Sequence, residues 1–317
     1  MKRINYIFFS STRFGRFFLS KIYKKLLPTL IITKKPKPQE REKILKLNPL
    51  AEFCLKKHLP FLEIENLSPQ KIKSYQPEFG LIAGFGKILK NDFIEIFPKG
   101  ILNIHPSLLP KLRGPSPIHF TILEGHKPGV SIFLIDELVD HGPIIAQKEL
   151  KIKKELYFEE LEIKLAQLGG ELFLECIWDF LEGKIKPRPQ NDLLATYTRK
   201  LTFEDSQIKK EDSVIQAYRK VLAFHLEPGA WIKIKIQDKE NILKITKASI
   251  LKESLIKSWL KGKIKRLGTG ILFLNNQTIL SLNDGFLLLE EVQLEGKRKM
   301  SGKEFFNGYS QKQIELL

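Results

Sequence analysis

The sequence predicts a mostly parallel α/β domain followed by a small β-barrel. In the first half of the chain, short apolar runs alternate with helical patterns, which is typical of βαβ units covered on both faces. In the last third, short β-rich runs are separated by turn residues, which is typical of a small barrel. The length of 317 residues is enough for two domains of this kind.

The elements of the first domain follow from this alternation. Parallel strands are predicted at 4–9, 30–33, 61–64, 79–83 and 100–104. Helices are predicted at 15–27, 49–58 and 90–96. Two further alternating runs, 130–136 and 144–151, predict a hairpin that extends the sheet, and 156–181 predicts one long amphipathic helix. In such a sheet, ligands bind beyond the carboxyl ends of the strands.

The second domain is separated from the first by a polar, proline-containing connector. We place the first domain at 1–189, the linker at 190–206 and the second domain at 207–317. A helix is predicted at 213–223. Barrel strands are predicted at 230–236, 242–248, 261–267, 270–276, 278–283 and 285–294.

The chain is strongly basic, with a formal net charge of +17. The second domain alone holds 20 Lys and Arg residues against 12 Asp and Glu residues. Such an excess indicates a polyanionic partner, either nucleic acid or, less often, a membrane surface. A lysine-rich composition without such a role is the alternative. No uncharged apolar run of about 18 residues occurs, so we expect no transmembrane helix and no membrane partner.

The two cysteines, Cys54 and Cys176, lie among apolar neighbours, without a second cysteine at metal-ligand spacing. This argues against a disulfide framework and against a zinc site, and it predicts reduced thiols in the cytoplasm. The basic and apolar start of the chain, 1–26, is interpreted as the first strand, turn and helix rather than as a removable targeting segment.

A pair of polar side chains ends the predicted strand 100–104. Asn103 and His105 are two residues apart, so they project from one face of the strand. An amide beside an imidazole can hold a carbonyl oxygen and stabilise negative charge that develops on it. Asp140 lies in a predicted turn and would orient the imidazole if that turn meets the same face. From spacing alone a structural histidine is the more common outcome, so both interpretations stay open.

Several motifs, in order, resemble those of the folate-dependent formyltransferase family. The first pair is LNIHPSLLPKLRGPSPI and, later, GVSIFLIDELVDHGPIIAQ, which are similar to the Asn-x-His-Pro/Ala-Ser-Leu-Leu-Pro-x-x-Arg-Gly run and the Asp-x-Gly of the family. Further runs resemble landmarks of the members that act on methionyl-tRNA: FSSTRFG, YQPEFGLIAGFGKIL, PRPQNDLLATYTRKLTFEDSQI and GKRKMSGKEFFNG. The resemblance implies a Rossmann-like formyltransferase domain followed by an OB-like barrel.

The resemblance also implies a reaction and its residues. Asn103, His105 and Asp140 match the catalytic trio of the family. The α-amine of initiator methionyl-tRNA would attack the formyl carbon on N10 of 10-formyltetrahydrofolate, with no metal required. Asn103 and His105 would hold the oxyanion, while Asp140 would pair with His105 and help a water to remove the proton of the amine. The folate pocket is implied at Phe85, Gly86, Lys87, Ile88, Leu89, Ser107, Leu108, Leu109, Pro110, Leu138 and Val139.

Two basic segments are candidates for contact with tRNA. The loop 33–49 holds six bases against two acids, and 252–266 holds six bases against one. By composition alone both are solvated lysine-rich surfaces, whereas the resemblance assigns the loop to the tRNA acceptor stem. Contacts to phosphate would give affinity and salt dependence without sequence reading. The expected contacts are Lys37, Arg41, Lys43, Lys261, Lys263, Lys265 and Arg266.

The protein is expected to be a monomer. Besides transfer to methionyl-tRNA, two other functions stay open. One is a sugar-nucleotide N-formyltransferase with the same trio, against which the basic loop, the basic barrel and the linker argue. The other is a tRNA-binding protein without catalysis, against which the intact trio argues. His141, next to Asp140, is interpreted as a solvated turn residue, and His119 stands where glutamine is usual in the family. Four further residues depart from the family pattern: Ser10, Thr12, Glu40 and Glu42.

Overall fold

The computed structural model describes residues 4–35, 47–64, 68–86, 89, 91–260 and 268–317. The chain divides into two compact units, each of which contains one β-sheet. The first unit comprises Met1–Thr121, His126–Lys153 and Glu160–Lys200. The second unit comprises Ile122–Gly125, Lys154–Glu159 and Leu201–Leu317.

The sheet of the first unit is mostly parallel, as predicted. Its strand order is β3-β2-β1-β4-β5-β6-β7, with parallel pairing as far as β5 and antiparallel pairing of β6 and β7. The strands are β1 Tyr6–Phe9, β2 Leu30–Lys34, β3 Phe61–Ile64, β4 Phe79–Ile82, β5 Ile101–His105, β6 Gly129–Leu134 and β7 Ile144–Glu149. The predicted hairpin is therefore confirmed, and β5 lies between the parallel and antiparallel parts of the sheet.

Continuous apolar runs form the central strands because helices cover both faces of such a sheet. Every residue of β1 and of β4 is buried. Tyr6 of β1 stacks on Phe79 of β4, with ring centroids 4.9 Å apart. Phe9, at the carboxyl end of β1, packs edge-on against Phe93 and Phe97. Tyr6 and Phe79 are the first residues of their strands, so their stack lies at the edge where β1 and β4 begin, whereas the contacts of Phe9 lie at the edge where β1 ends.

The helices of the first 200 residues begin with polar caps. Thr12 accepts a hydrogen bond from the Gly15 amide, and Asn48 accepts from the amides of Leu50 and Ala51. The helices are α1 Arg13–Ile22, α2 Pro49–Lys56, α3 Pro69–Lys73, α4 Asn91–Ile94, α5 Pro117–Glu124 and α6 Phe158–Leu181. The helices α3 and α5 were not predicted from the sequence.

The second unit contains a nearly closed antiparallel barrel, as predicted. The strand order is β10-β11-β12-β9-β8-β14, and the two edge strands β10 and β14 lie beside each other. The strands are β8 Ala230–Ile236, β9 Lys239–Leu251, β10 Gly270–Leu274, β11 Gln277–Leu282, β12 Gly285–Leu294, β13 Met300–Ser301 and β14 Ile314–Leu316. The predicted strand 261–267 lies outside the described residues. β13 and β14 were not predicted because they are very short.

Three helices accompany the barrel: α7 Val214–Ala223, α8 Glu253–Trp259 and α9 Gly302–Tyr309. α7 and α9 each begin with a capping box, formed by Ser213 with Gln216 and by Ser301 with Glu304. α7 confirms the predicted helix at 213–223. In the part of the chain that the structure describes, no helix combines the length and the apolar character that a bilayer span requires.

Candidate active site

The candidate site lies where β5 ends, at the carboxyl edge of the parallel strands. In the ladder with β6, Asn103 is paired with Phe133 and His105 with Ser131. The two side chains therefore share one face of the sheet, as their spacing predicts. His105 is 4% exposed, whereas Asn103 is half-buried. The amide of Asn103 is therefore the more accessible of the two groups.

The orientation of the His105 ring follows from its two neighbours. Nε2 lies 2.9 Å from the carbonyl oxygen of Leu112, and a carbonyl can only accept, so Nε2 carries a hydrogen. Nδ1 lies 3.6 Å from Oδ2 of Asp140. The ring is therefore held between the Leu112 carbonyl and the Asp140 carboxylate.

Asp140 reaches this face from a tight turn. Its Oδ2 accepts a hydrogen bond of 2.8 Å from the Gly114 amide, and its Oδ1 lies 3.4 Å from Nδ2 of Asn103. The backbone of Asp140 is left-handed, with φ of 50°, a conformation that Asp tolerates better than most residues. A Cβ on Gly142 would lie 1.8 Å from the carbonyl oxygen of Leu134. The Asp-x-Gly spacing thus has a steric cause.

The loop after β5 is fixed by the β6–β7 hairpin. Ser131 Oγ donates to the Ser107 carbonyl (2.6 Å) and accepts from the Leu109 amide (2.9 Å). Gln147 Nε2 donates to the Leu109 carbonyl (2.7 Å) and to Ser131 Oγ (2.8 Å). Neither Ser131 nor Gln147 was singled out from the sequence, although both belong to the second resembling motif. Together they hold the Ser-Leu-Leu-Pro run against the sheet.

The predicted folate residues differ in accessibility. Phe85 and Leu89 are buried in the core, and Ser107 and Leu109 are buried as well. Leu108 and Pro110 are half-buried, and Gly86 is exposed. Lys87 and Ile88 lie outside the described residues. Leu138 and Val139, which directly precede Asp140, are 62% and 56% exposed. These two are the apolar side chains of the set that are free to cover a flat ligand.

The segment predicted as a linker forms an outer wall of the site. The Arg113 amide donates to the Thr196 carbonyl (2.9 Å), and the Thr198 amide donates back to the Arg113 carbonyl (2.7 Å). Thr196 Oγ1 accepts from the Leu112 amide at 2.9 Å. Residues up to Lys200 belong to the first unit. These contacts were not predicted, because a polar, proline-containing stretch gives no periodic signal.

Two departures from the family pattern are accommodated locally. Ser10 is fully buried, and its hydroxyl donates to the Ala83 carbonyl at 2.6 Å. A Cβ on Gly15 would lie 1.7 Å from that hydroxyl oxygen, so Ser10 fills the space that Gly15 leaves. Thr12 caps α1. The turn therefore forms with both residues in place. Glu40 and Glu42 lie outside the described residues.

Two histidines near the site have perturbed pKa values. A hydrogen bond from His141 Nδ1 to Asp136 (2.6 Å) raises the pKa of His141, and Asp192 faces its Nε2 at 3.4 Å. His141 is thus partly exposed, as expected for a turn residue, but it is held between two carboxylates. Burial lowers the pKa of His119 to about 4, so His119 is neutral at physiological pH.

The residues predicted to contact tRNA are not part of the described structure. All seven, Lys37, Arg41, Lys43, Lys261, Lys263, Lys265 and Arg266, lie in 36–46 or 261–267. Among the residues that are described, no group of three or more His, Cys, Asp or Glu side chains is arranged to hold a metal ion. Cys54 and Cys176 are buried and free, and burial raises the pKa of each thiol to about 12.

Comparison with known sequences gives matches along nearly the whole chain. Residues 2–177 match the formyl transferase family, and residues 200–310 match the formyl transferase C-terminal domain. The methionyl-tRNA formyltransferase of Dictyoglomus turgidum is 35% identical over 313 residues, which cover 96% of this chain and 96% of that protein. The methionyl-tRNA formyltransferase of Protochlamydia amoebophila is 29% identical, over 100% of this chain and 98% of that protein.

Solved structures with the same fold have lower sequence identity. The N-formyltransferase from Helicobacter canadensis, in complex with folinic acid and dTDP-3-aminofucose, matches with a TM-score of 0.63 at 18% identity, over 94% of this chain and 100% of that chain. HypX from Aquifex aeolicus, in complex with tetrahydrofolic acid, matches with a TM-score of 0.61 at 16% identity. That match covers 97% of this chain but 48% of HypX. At these identities the likeness establishes a shared fold.

Proposed function

The chain belongs to the formyl transferase family, and from this premise we propose that it transfers the formyl group of 10-formyltetrahydrofolate to the α-amine of initiator methionyl-tRNA. The product, formylmethionyl-tRNA, would serve translation initiation. The observation that carries the proposal is the convergence of Asn103, His105 and Asp140 at the end of β5. The choice of acceptor is supported by the names of the relatives that match over nearly the full length.

In the proposed reaction, the site stabilises charge rather than forming a bond to the substrate. Bound 10-formyltetrahydrofolate supplies a formyl carbon whose oxygen becomes negative when the amine attacks. Nδ1 of His105 and Nδ2 of Asn103 both lie against the carboxylate of Asp140. Nδ2 of Asn103 carries two hydrogens and one of them faces Asp140, so the second is available to hold that oxygen. We propose Nδ1 of His105, 3.6 Å from Asp140, as the other donor. Such preorganised donors are worth roughly 10²–10³ in rate.

Asp140 has two roles in this proposal. Its carboxylate pairs with His105, and it orients a water that takes the proton of the attacking amine. When the bond between the formyl carbon and N10 breaks, N10 takes up a proton and tetrahydrofolate leaves. The carboxylate is 14% exposed, so one side of it is accessible to a water. The Gly114 amide and Asn103 occupy the other positions around it. These contacts fix the carboxylate and leave its open side toward the acceptor.

We assign the folate to the surface beside this trio. The exposed apolar side chains of Leu138 and Val139 fit a flat heteroaromatic ring, because covering them removes apolar surface from water. The Ser-Leu-Leu-Pro run is the opposite wall of the proposed pocket, and Gly86 leaves room for close approach of the ligand. The buried residues Phe85 and Leu89 would act by supporting the backbone there.

Binding of the acceptor is assigned to the basic segments and to the second domain. The range 207–317 carries 20 bases against 12 acids, which suits contact with phosphates. We propose that 1–189 carries catalysis, that 207–317 binds tRNA and that 190–206 connects them. Arg41 and Lys43 in the loop 33–49, together with the cluster from Lys261 to Arg266, are the proposed contacts.

The test offers purified protein 10-formyltetrahydrofolate with charged initiator tRNA and, separately, with amino sugar nucleotides. The proposal predicts formylation of the charged tRNA and none of the sugar nucleotides. Formylation of a sugar amine with no transfer to tRNA would instead assign the chain to the sugar-nucleotide N-formyltransferases. Binding of tRNA with no transfer to either acceptor would indicate a tRNA-binding protein without catalysis.

A further inference from the structure

Gln190 and Arg113 form a buried link that none of the catalytic assignments uses. Nε2 of Gln190 donates to the carbonyl oxygens of Asp140 (2.9 Å) and Gly142 (2.8 Å). Oε1 of the same amide accepts from Nε (3.1 Å) and Nη2 (2.8 Å) of Arg113. All four hydrogen-bonding positions of the Gln190 amide are therefore engaged, two by the turn that carries Asp140 and two by Arg113.

We propose that Gln190 is a positioning residue for formyl transfer, which holds the turn 140–142 so that the Asp140 carboxylate meets His105. The inference rests on the proposed function. The turn needs an external hold because Asp140 has left-handed backbone geometry, which is less favourable for a residue with a side chain. One amide group fixes the carbonyls on both sides of His141, and this defines the direction in which the Asp140 side chain leaves the backbone.

Arg113 connects this hold to the catalytic groups. Leu112, Arg113 and Gly114 are consecutive, and each contacts a different part of the site. The Leu112 carbonyl accepts from Nε2 of His105, and the Gly114 amide donates to Oδ2 of Asp140. The Arg113 side chain between them binds Gln190. The same three residues therefore fix the imidazole, the carboxylate and, through Gln190, the turn.

The burial of Arg113 and the pairing of its guanidinium indicate that the link has a fixed geometry. Arg113 is 1% exposed, and burial of a guanidinium is unfavourable unless its hydrogens are paired. Besides Gln190, it donates to Oδ1 of Asp192 (2.8 Å) and to the Tyr197 hydroxyl (3.2 Å). The hydrogen bond from Arg113 lowers the pKa of Asp192, so this partner stays ionised. A guanidinium with its donors engaged in this way cannot rotate freely, and it fixes the amide of Gln190 with its Nε2 toward the turn.

Gln190→Glu separates the two functions of the side chain. The carboxylate still accepts from Arg113, and more strongly, so the fold should be retained. It cannot donate to the carbonyls of Asp140 and Gly142, and its charge repels them. We expect kcat for formyl transfer to fall by roughly 10- to 100-fold, because a small displacement of a catalytic group has effects of this size. KM for charged tRNA and for 10-formyltetrahydrofolate should change by less than about threefold.

Tyr197→Phe is the matched control. It removes one acceptor from the same guanidinium and leaves the amide of Gln190 intact, so kcat should stay within about twofold of wild type. Gln190→Ala repeats the test without an added charge, and it serves if Gln190→Glu does not fold. We expect Gln190→Ala to lower kcat as well, with an additional loss of thermal stability because Arg113 loses an acceptor.

Three outcomes would overturn the inference. The first is normal kcat in both Gln190 variants. The second is a fall in kcat of the Gln190 variants with an equal rise in both KM values, together with a loss of stability that Tyr197→Phe shares. That result would indicate a network with a structural role alone. The third is a loss of kcat in Tyr197→Phe equal to that in Gln190→Glu. A wild-type protein without formyl transfer in the same assay would contradict the proposed function, and so the two failures are distinguishable.

Discussion

The two units of the molecule differ in the kind of polar side chain that they bury. Among the described residues, the buried side chains that are charged or carry an imidazole are His105, Arg113 and Glu162, and all three belong to the first unit. The buried polar side chains of the second unit are neutral hydroxyls, such as Thr246 and Thr278, which bond to nearby carbonyls. The first unit therefore accepts a desolvation cost that the second unit avoids.

This difference fits a division in which the end of β5 carries the proposed chemistry and the basic segments provide the proposed affinity for tRNA. Buried ionisable groups at the end of β5 have fixed partners and few orientations, which is what stabilisation of a transition state needs. The described charged side chains of the second unit are not buried, so they are available to a polyanion but are screened by salt. Changes at the end of β5 should therefore alter kcat, whereas changes in the basic segments should alter KM for tRNA.

The largest expected effect is that of Asp140→Asn, which keeps the shape of the side chain and removes its charge. We expect kcat to fall by roughly 10³-fold, because His105 loses the carboxylate that it faces and the water loses its base. Binding of tRNA and of folate, measured by equilibrium titration, should be retained. Near-normal transfer by this variant would contradict the assigned role of Asp140.

The opposite side of the comparison is tested by the double variant Arg41→Ala with Lys43→Ala. Loss of two phosphate contacts should raise KM for charged tRNA by roughly 10- to 100-fold and reduce its salt dependence. KM for 10-formyltetrahydrofolate should stay unchanged. Lys24→Ala with Lys25→Ala, at two exposed positions of the first unit, is a control of equal charge change. Equal losses for both substrates would count against a role of the loop in tRNA binding.

A smaller effect, on stability, follows from His119. Its pKa is about 4 in the folded protein, against about 6.5 when exposed. The unfolded state binds the proton more readily, so stability falls as the pH drops from about 6.5 toward 4. His119→Gln removes this pH dependence. When the pH is lowered from 7 to 5, its free energy of unfolding should therefore rise by about 2 kcal/mol relative to that of wild type.

Urea unfolding of both proteins at the two pH values measures this difference, and His126→Gln is the control for removal of a histidine. The same change in stability with pH in wild type and His119→Gln would mean that His119 is not the buried neutral group. Because His119 belongs to α5 and not to the trio, kcat at pH 7 should change little in this variant.

Periodicity and spacing predict the framework of both units, because the apolar runs that form β1, β4 and β5 are continuous and buried. They also place Asn103 and His105 on one face. Spacing alone leaves the approach of Asp140 to that face open, whereas the motifs predict it. The contacts of Gln190 could not be predicted, because they join residues 48 and 50 positions apart in sequence. A polar connector carries no pattern that specifies such pairs.

In the proposed mechanism, the chemistry takes place at the end of β5, and the acceptor is bound electrostatically by the basic segments. This separation is tested most directly by steady-state formylation of charged initiator tRNA by the wild-type protein at salt concentrations from about 50 to 200 mM. We predict that KM for tRNA rises steeply with salt, while kcat and KM for 10-formyltetrahydrofolate stay nearly constant. A KM for tRNA that does not change with salt, or a kcat that falls in parallel with affinity, would contradict it.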